Sequence, residues 1–261
     1  MADQSASKPL ATAGPTGIPP EPPSLLKKLG WRVRDLHDAR AGKLLPPRRL
    51  RHFADAGDYE SIGQAYLAHC VDLASLEASD RVLDVGCGIG RLAVPLSGYL
   101  EPSASYLGVD TWAEGIAWCR RHVGARYPNF TFTLLDVYDE KYNPTAPPAD
   151  DTPMIDASPG SFDFATLISI LHLRPEGVRR YLSELARVLR PGGRYLGSWY
   201  LLAEEDDRPL DTLPRPAVTE SAARAMLDEA GIDVAAVYPG WWDGRTDGLS
   251  LQDVIVGQRR A

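Results

Sequence analysis

Three glycines at alternate positions, Gly86, Gly88 and Gly90, follow the apolar run Val82-Leu83-Asp84-Val85 and lead into Arg91-Leu92-Ala93. A turn without side chains there lets the main chain reverse tightly and brings a ligand close to backbone amides and to a helix N-terminus. The next apolar run, Tyr106-Leu107-Gly108-Val109, ends in Asp110, 20 residues beyond Gly90. An acidic side chain in that place suits ribose hydroxyls, so the two features together predict a nucleoside site. The dinucleotide fingerprint sets its third glycine three positions after the second. Here the spacing is two, and the acidic Asp84 stands just before the turn. Both departures point away from a nicotinamide cofactor.

Such a turn must be held by a strand before it and a helix after it. From Arg81 onward short β-type runs alternate with helical ones, the pattern of βαβ units and a parallel sheet. Seven strands are predicted, at 81–85, 105–109, 130–135, 162–169, 194–201, 234–238 and 252–257. The clearest helix is Pro175 to Arg190, with Val178, Tyr181, Leu182, Leu185, Val188 and Leu189 on one face and Pro191-Gly192-Gly193 stopping it. Others are read at Ala113 to Tyr127 and at Val218 to Ala230, the latter ending before Gly231. A helix from Asp58 to Ser75, with Ile62, Tyr66, Leu67, Cys70, Val71 and Ala74 as its apolar stripe, is expected to cap the domain. The segment from Glu140 to Ser161 carries five prolines and three aspartates and reads as an insertion, either a lid or disordered.

Residues Met1 to Ser24 hold six prolines and almost no apolar face, so a disordered tail is expected. Between Leu25 and Arg51 nine Lys or Arg face only Asp35 and Asp38, a local excess opposite in sign to the chain's formal −7. It reads as the solvated face of one or two helices, a helical cap at 25–75 ahead of the main domain at 76–261. With 261 residues, 44% of them apolar, the chain can bury one substantial core. The longest apolar run, Ala165 to Leu173, is too short to span a membrane. Cys70, Cys87 and Cys119 are odd in number and not spaced as metal ligands, which fits a reducing, cytoplasmic setting without bound metal. The acidic balance disfavours nucleic acid. The expected partners are therefore a small-molecule substrate and, in a homo-oligomer, copies of the chain itself, with neither nucleic acid nor membrane.

The run Val82 to Ala93 resembles the first motif of class I S-adenosylmethionine-dependent methyltransferases of the type 11/25 kind, and Gly108-Val109-Asp110-Thr111-Trp112 resembles their second. Phe132 to Val137, Phe162 to Ala165 and Leu185 to Gly193 are similar to later motifs in the same order, so the resemblance covers about Leu76 to Gln258. It implies an α/β, Rossmann-like fold with a mostly parallel sheet and helices on both faces. It also implies S-adenosyl-L-methionine as the cofactor. Asp84 and the turn of Gly86, Cys87, Gly88 and Gly90 would hold the methionine portion. Asp110 would grip the ribose, with Thr111 alongside, and Trp112 would lie on the adenine. Asp136 would accept from the adenine amine, Val137 would lend its main chain, and Ser169 would line the pocket.

The resemblance gives the chemistry a shape. A sulfonium methyl is already activated, so the protein must chiefly align a nucleophile, and a hydroxyl nucleophile gains from a base. His172, just past the fourth strand, is the candidate base; His37, His52, His69 and His122 fall on predicted helices or in basic stretches and read as structural or surface residues. Tyr59, Trp199, Tyr200, Trp241 and Trp242 are candidates to wall an acceptor cavity. O-methylation of a small molecule leads. N- or C-methylation, a nucleotide-dependent oxidoreductase and a non-catalytic cofactor-binding protein are the alternatives.

Overall fold

The computed structural model describes residues 24–53, 58–138, 142–146, 154–168, 175–206, 217–240 and 248–261. The predicted tail lies outside the described residues except for Ser24, which accepts a hydrogen bond from the Lys27 amide and caps the first helix. Three helices precede the sheet: α1 (Leu25–Arg40), α2 (Arg48–Phe53) and α3 (Tyr59–Asp72). Then follow β1 (Arg81–Val85), α4 (Ala93–Tyr99), β2 (Ser105–Asp110), α5 (Ala113–Cys119), β3 (Phe130–Leu134) and β4 (Phe162–Leu167). The remainder is α6 (Pro175–Val188), β5 (Leu189–Leu202), β6 (Ala217–Thr219), α7 (Glu220–Glu229), β7 (Ile232–Tyr238) and β8 (Asp253–Arg259).

The strands form one sheet in the order β3-β2-β1-β4-β5-β8-β7. Strands β1 to β5 are parallel, and β8 runs antiparallel to both its neighbours. The chain leaves β1 toward β2 on one side and later returns to β4 on the other. In open α/β sheets ligands bind at such a reversal, beyond the carboxyl ends of the strands, here those of β1 and β4. Alternation along the strands feeds two cores. Val82, Phe164, Leu196 and Val254 pack with α3, α4 and α5, whereas Leu83, Ala165, Tyr195 and Ile255 pack with α6 and α7. Central strands covered on both faces are apolar almost throughout, as β1 is after Arg81.

Several boundaries differ from the sequence expectation, each for a local reason. Among the described residues the sheet has eight strands, because Val218 and Thr219 are extended and pair alongside Leu201 and Leu202. The Thr219 hydroxyl then accepts from the Ala222 amide and starts α7 two residues late. Helix α6 stops at Val188, since Pro191 disfavours helical backbone at Arg190. Leu189 already pairs with Phe162, and Pro191-Gly192-Gly193 lies inside β5, where the register shifts. The helix after Trp112 loosens at its end into a π-helical turn, Arg120–Gly124. In the expected insertion, residues 154–161 are described and fastened to α6. Arg187 donates to the Ile155 and Ala157 carbonyls at 2.8 Å, and the Ile155 amide donates to Glu184 at 3.1 Å. Among the described helices none is long and apolar enough to cross a membrane.

Candidate functional site

Strand β1 sets Asp84 in the middle of the sheet, 2% exposed. Its carboxylate accepts from the Tyr106 hydroxyl of β2 at 2.6 Å and from the Thr166 hydroxyl of β4 at 2.8 Å. Burial pushes its pKa up to about 6, against the two hydroxyl hydrogen bonds, and the nearby charge of Asp110 adds to the rise. Asp84 thus clamps β1 between its two neighbours directly beneath the turn.

The turn itself is tied to the end of β2. The Gly86 and Cys87 amides both donate to the Val109 carbonyl, at 2.9 and 3.1 Å. Asp110 accepts from the Gly88 amide through one oxygen and from the Trp112 amide through the other, each at 2.7 Å. Its own carbonyl accepts from the Leu135 amide at 2.8 Å, which draws the end of β3 into the same cluster. Gly88 has φ +54° and nothing within 4 Å of where a β-carbon would stand. The left-handed backbone requires glycine, and the space its missing side chain leaves is open to a ligand. Gly90, at φ +73°, instead has the Cys119 sulfur 3.1 Å from that position.

Two helices press on the turn from outside. In α5 a β-carbon at Gly115 would stand 2.7 Å from the Gly88 carbonyl oxygen, and in α3 one at Gly63 would stand 2.5 Å from the Arg91 carbonyl oxygen. The buried Tyr59 hydroxyl donates to the Ile89 carbonyl at 2.9 Å. Sequence reasoning missed Gly63 and Gly115. The available signal was an isolated glycine inside a helical pattern, which usually marks close packing. Tyr106 and Thr166 carried no local signal.

The other sequence candidates are placed as follows. Thr111 and Trp112 are buried at the start of α5, and the Trp112 ring lies 5.7 Å from that of Tyr142. Asp136 is exposed past the end of β3, accepting from the Asn143 side chain at 3.3 Å, and Val137 is half-buried beside it. Ser169, His172, Trp241 and Trp242 lie outside the described residues. Tyr59, Trp199 and Tyr200 are all core residues, at most 2% exposed, and the Trp199 indole donates to the Tyr195 hydroxyl at 3.2 Å. His37, His52 and His69 sit on α1, α2 and α3, and His122 stacks on Trp118 with centroids 5.2 Å apart. The three cysteines are free and buried, and burial raises their pKa values, so they stay as thiols.

Further along the same edge of the sheet a cleft of about 240 Å³ opens past the end of β5. Leu201, Leu202, Val237 and Pro239 give it apolar walls, and Glu204, Glu220 and Asp253 give it carboxylates. Asp253 is fully buried and accepts from the Leu201 amide at 2.7 Å and the Gly240 amide at 2.8 Å.

The residues present suit a nucleoside cofactor that carries positive charge. Open space above Gly88, the Asp110 carboxylate at the end of β2 and the exposed Asp136 at the end of β3 all lie beyond the carboxyl ends of the strands. Residues 82–193 match the profile of a family described as a methyltransferase domain. A fatty-acid O-methyltransferase of Mycolicibacterium smegmatis is 33% identical over 154 residues, 56% of this chain and 49% of that protein. A phthiotriol/phenolphthiotriol dimycocerosates methyltransferase of Mycobacterium tuberculosis is 37% identical over 116 residues, 44% of this chain and 36% of that one. The chain therefore spans half or less of the length of these curated relatives. Among solved structures, a SAM-dependent methyltransferase of Methanosarcina mazei superposes with a TM-score of 0.52 at 20% identity. That match covers 71% of this chain and 94% of that one, and at such identity it speaks to the fold alone. The turn, the sheet order and the matched segment converge on one resemblance: residues 82–193 are similar to a methyltransferase domain, carried on a Rossmann-like α/β fold with helices on both faces of the sheet.

Proposed function

We propose that the chain transfers the methyl group of S-adenosylmethionine to a hydroxyl oxygen of a small-molecule or lipid acceptor. The observation that carries this reading is the turn of Gly86 to Gly90, fixed by Asp110 at the switch point of the sheet with open space over Gly88. The bound cofactor would supply an electrophilic methyl carbon, so the protein's task is orientation and desolvation. Asp110 and the turn would hold the ribose and methionine ends, Asp136 the adenine amine, and Trp112 the adenine face. Ser169 is assigned to the pocket lining. Two observations support an oxygen of a lipid-like acceptor: the relative named a fatty-acid O-methyltransferase, and the apolar walls of the cleft on the same edge of the sheet, which also carries Glu204, Glu220 and Asp253.

For a hydroxyl acceptor a base is needed, and His172 is assigned that role. It follows the end of β4 by five positions. The test is methyl transfer from isotopically labelled S-adenosylmethionine to a panel of hydroxylated and fatty acids, with the wild type beside His172→Ala. The expected outcome is an O-methylated product and turnover lowered by about 10²- to 10⁴-fold in the variant, with cofactor affinity unchanged. Unchanged turnover in His172→Ala would remove it from the mechanism, and methylation at nitrogen or carbon would replace the acceptor class.

A further inference from the structure

The basic run near the N-terminus is left unused by the cofactor site. Helix α1 docks by one face only. Trp31, Asp35 and Asp38, three and four residues apart, are half-buried. The Trp31 ring lies 5.1 Å from that of His52, and Arg48 holds both aspartates at 2.8 Å. A surface helix ordinarily turns its apolar stripe toward the body. Here the stripe points away. Leu25, Leu26, Leu29, Val33 and Leu36 recur on the side opposite the docked face, each between 58% and 84% exposed, and no residue of α1 is buried. Lys27, Lys28, Arg32, Arg34 and Arg40 lie along the same helix, while its two acids are drawn inward by Arg48.

We propose that α1 is an interfacial anchor that rests on an anionic lipid surface, its leucine stripe in the acyl boundary and its cations among the headgroups. Charge selects this occupant. A second copy packed stripe to stripe would set Arg32 and Arg40, the cations beside the stripe, against their own copies, and 16 residues give about two heptads, fewer than a sustained coiled coil uses. Nucleic acid would leave the five apolar side chains nothing to bury. An anionic bilayer satisfies stripe and cations together, and the chain's overall charge of −7 keeps the remainder off the surface. The anchor is also tied to the site, because Arg49 of α2 pairs with Glu114 in the first turn of α5, the helix that presses on Gly88. On the methyl-transfer reading, on which this one consequence rests, a lipid-dissolved acceptor would approach from that side.

The test is co-sedimentation of the full chain with vesicles of phosphatidylcholine alone or in equal mixture with phosphatidylglycerol. Binding to the mixed vesicles is expected to be at least about tenfold stronger and to fall with added salt. Leu29→Ser with Val33→Ser, and separately Lys28→Ser with Arg32→Ser, should each lower it by at least about tenfold. All four residues are exposed, so circular dichroism and S-adenosylmethionine affinity should not change. Absent binding to mixed vesicles, or binding indifferent to both variants, overturns the proposal. So does a dimer in sedimentation velocity that the Leu29/Val33 variant dissolves, which would give the stripe to a second copy. A failure of the methyl-transfer reading would look different, as missing cofactor binding with vesicle binding intact.

Discussion

Gly115→Ala isolates the contact through which α5 supports the glycine turn. The added β-carbon would stand 2.7 Å from the Gly88 carbonyl oxygen and 2.9 Å from the Trp112 ring, closer than real β-carbons approach, so the helix or the turn must shift. Neither yields freely. The same Asp110 carboxylate holds the Gly88 amide on one side and the Trp112 amide on the other. Overpacking of this kind costs about 1–3 kcal/mol. Alanine's preference for a helix returns about 0.5–1 kcal/mol of that. A net loss of about 1.3 kcal/mol remains at the middle of both ranges. If it falls on the turn, S-adenosylmethionine binding weakens roughly tenfold. Titration calorimetry reads the affinity, and thermal unfolding should show Tm lower by a few degrees. Gly98→Ala in α4, with nothing within 4 Å, is the control and should leave the affinity unchanged. Wild-type affinity and Tm in Gly115→Ala would refute the claim that α5 fixes the turn for the ligand.

Asp110→Asn leaves one acceptor oxygen for two backbone amides, so cofactor affinity should fall roughly 10- to 100-fold in the same titration; an unaltered dissociation constant would overturn the ribose assignment. Asp84 makes stability depend on pH in a definite direction. Its folded pKa, raised to about 6, lies above its value in the unfolded chain, so the stability it contributes is present in acid and is lost as pH rises through 6. In urea unfolding, Asp84→Asn should therefore gain on the wild type by about 1.4 kcal/mol between pH 5 and pH 8. Parallel pH curves for the two proteins would show that the carboxyl is not held as described.

The sheet was legible because its strands are short apolar runs separated by helical periodicity, and the turn was legible because alternate glycines after a strand are a local pattern. What surrounds them was not. Asp84 could be seen as an acid beside the turn, but its partners Tyr106 and Thr166 stand 22 and 82 residues away, and only the parallel register brings them together. The contact at Gly115 is likewise tertiary, since nothing within α5 distinguishes that glycine from one that merely tolerates a helix. Val218 and Thr219 read as helix because they adjoin the helical pattern that follows, whereas their β-branched side chains and the capping hydroxyl favour extended backbone. Trp199 and Tyr200 were candidates for a cavity wall from their place near the end of the predicted fifth strand, yet that strand runs on to Leu202 and keeps them in the core. In α1 the charges drew attention and the leucine spacing did not. The outward orientation of that spacing is set by Arg48, ten and thirteen residues further on.

The most direct test of the cofactor assignment is a calorimetric titration of the full chain with S-adenosylmethionine and S-adenosylhomocysteine, with NAD and NADP as controls. Saturable binding of the first pair alone is the expected result. Binding of a nicotinamide dinucleotide, or of none of the four, would contradict the assignment of the Gly86 to Gly90 turn and Asp110 to S-adenosylmethionine.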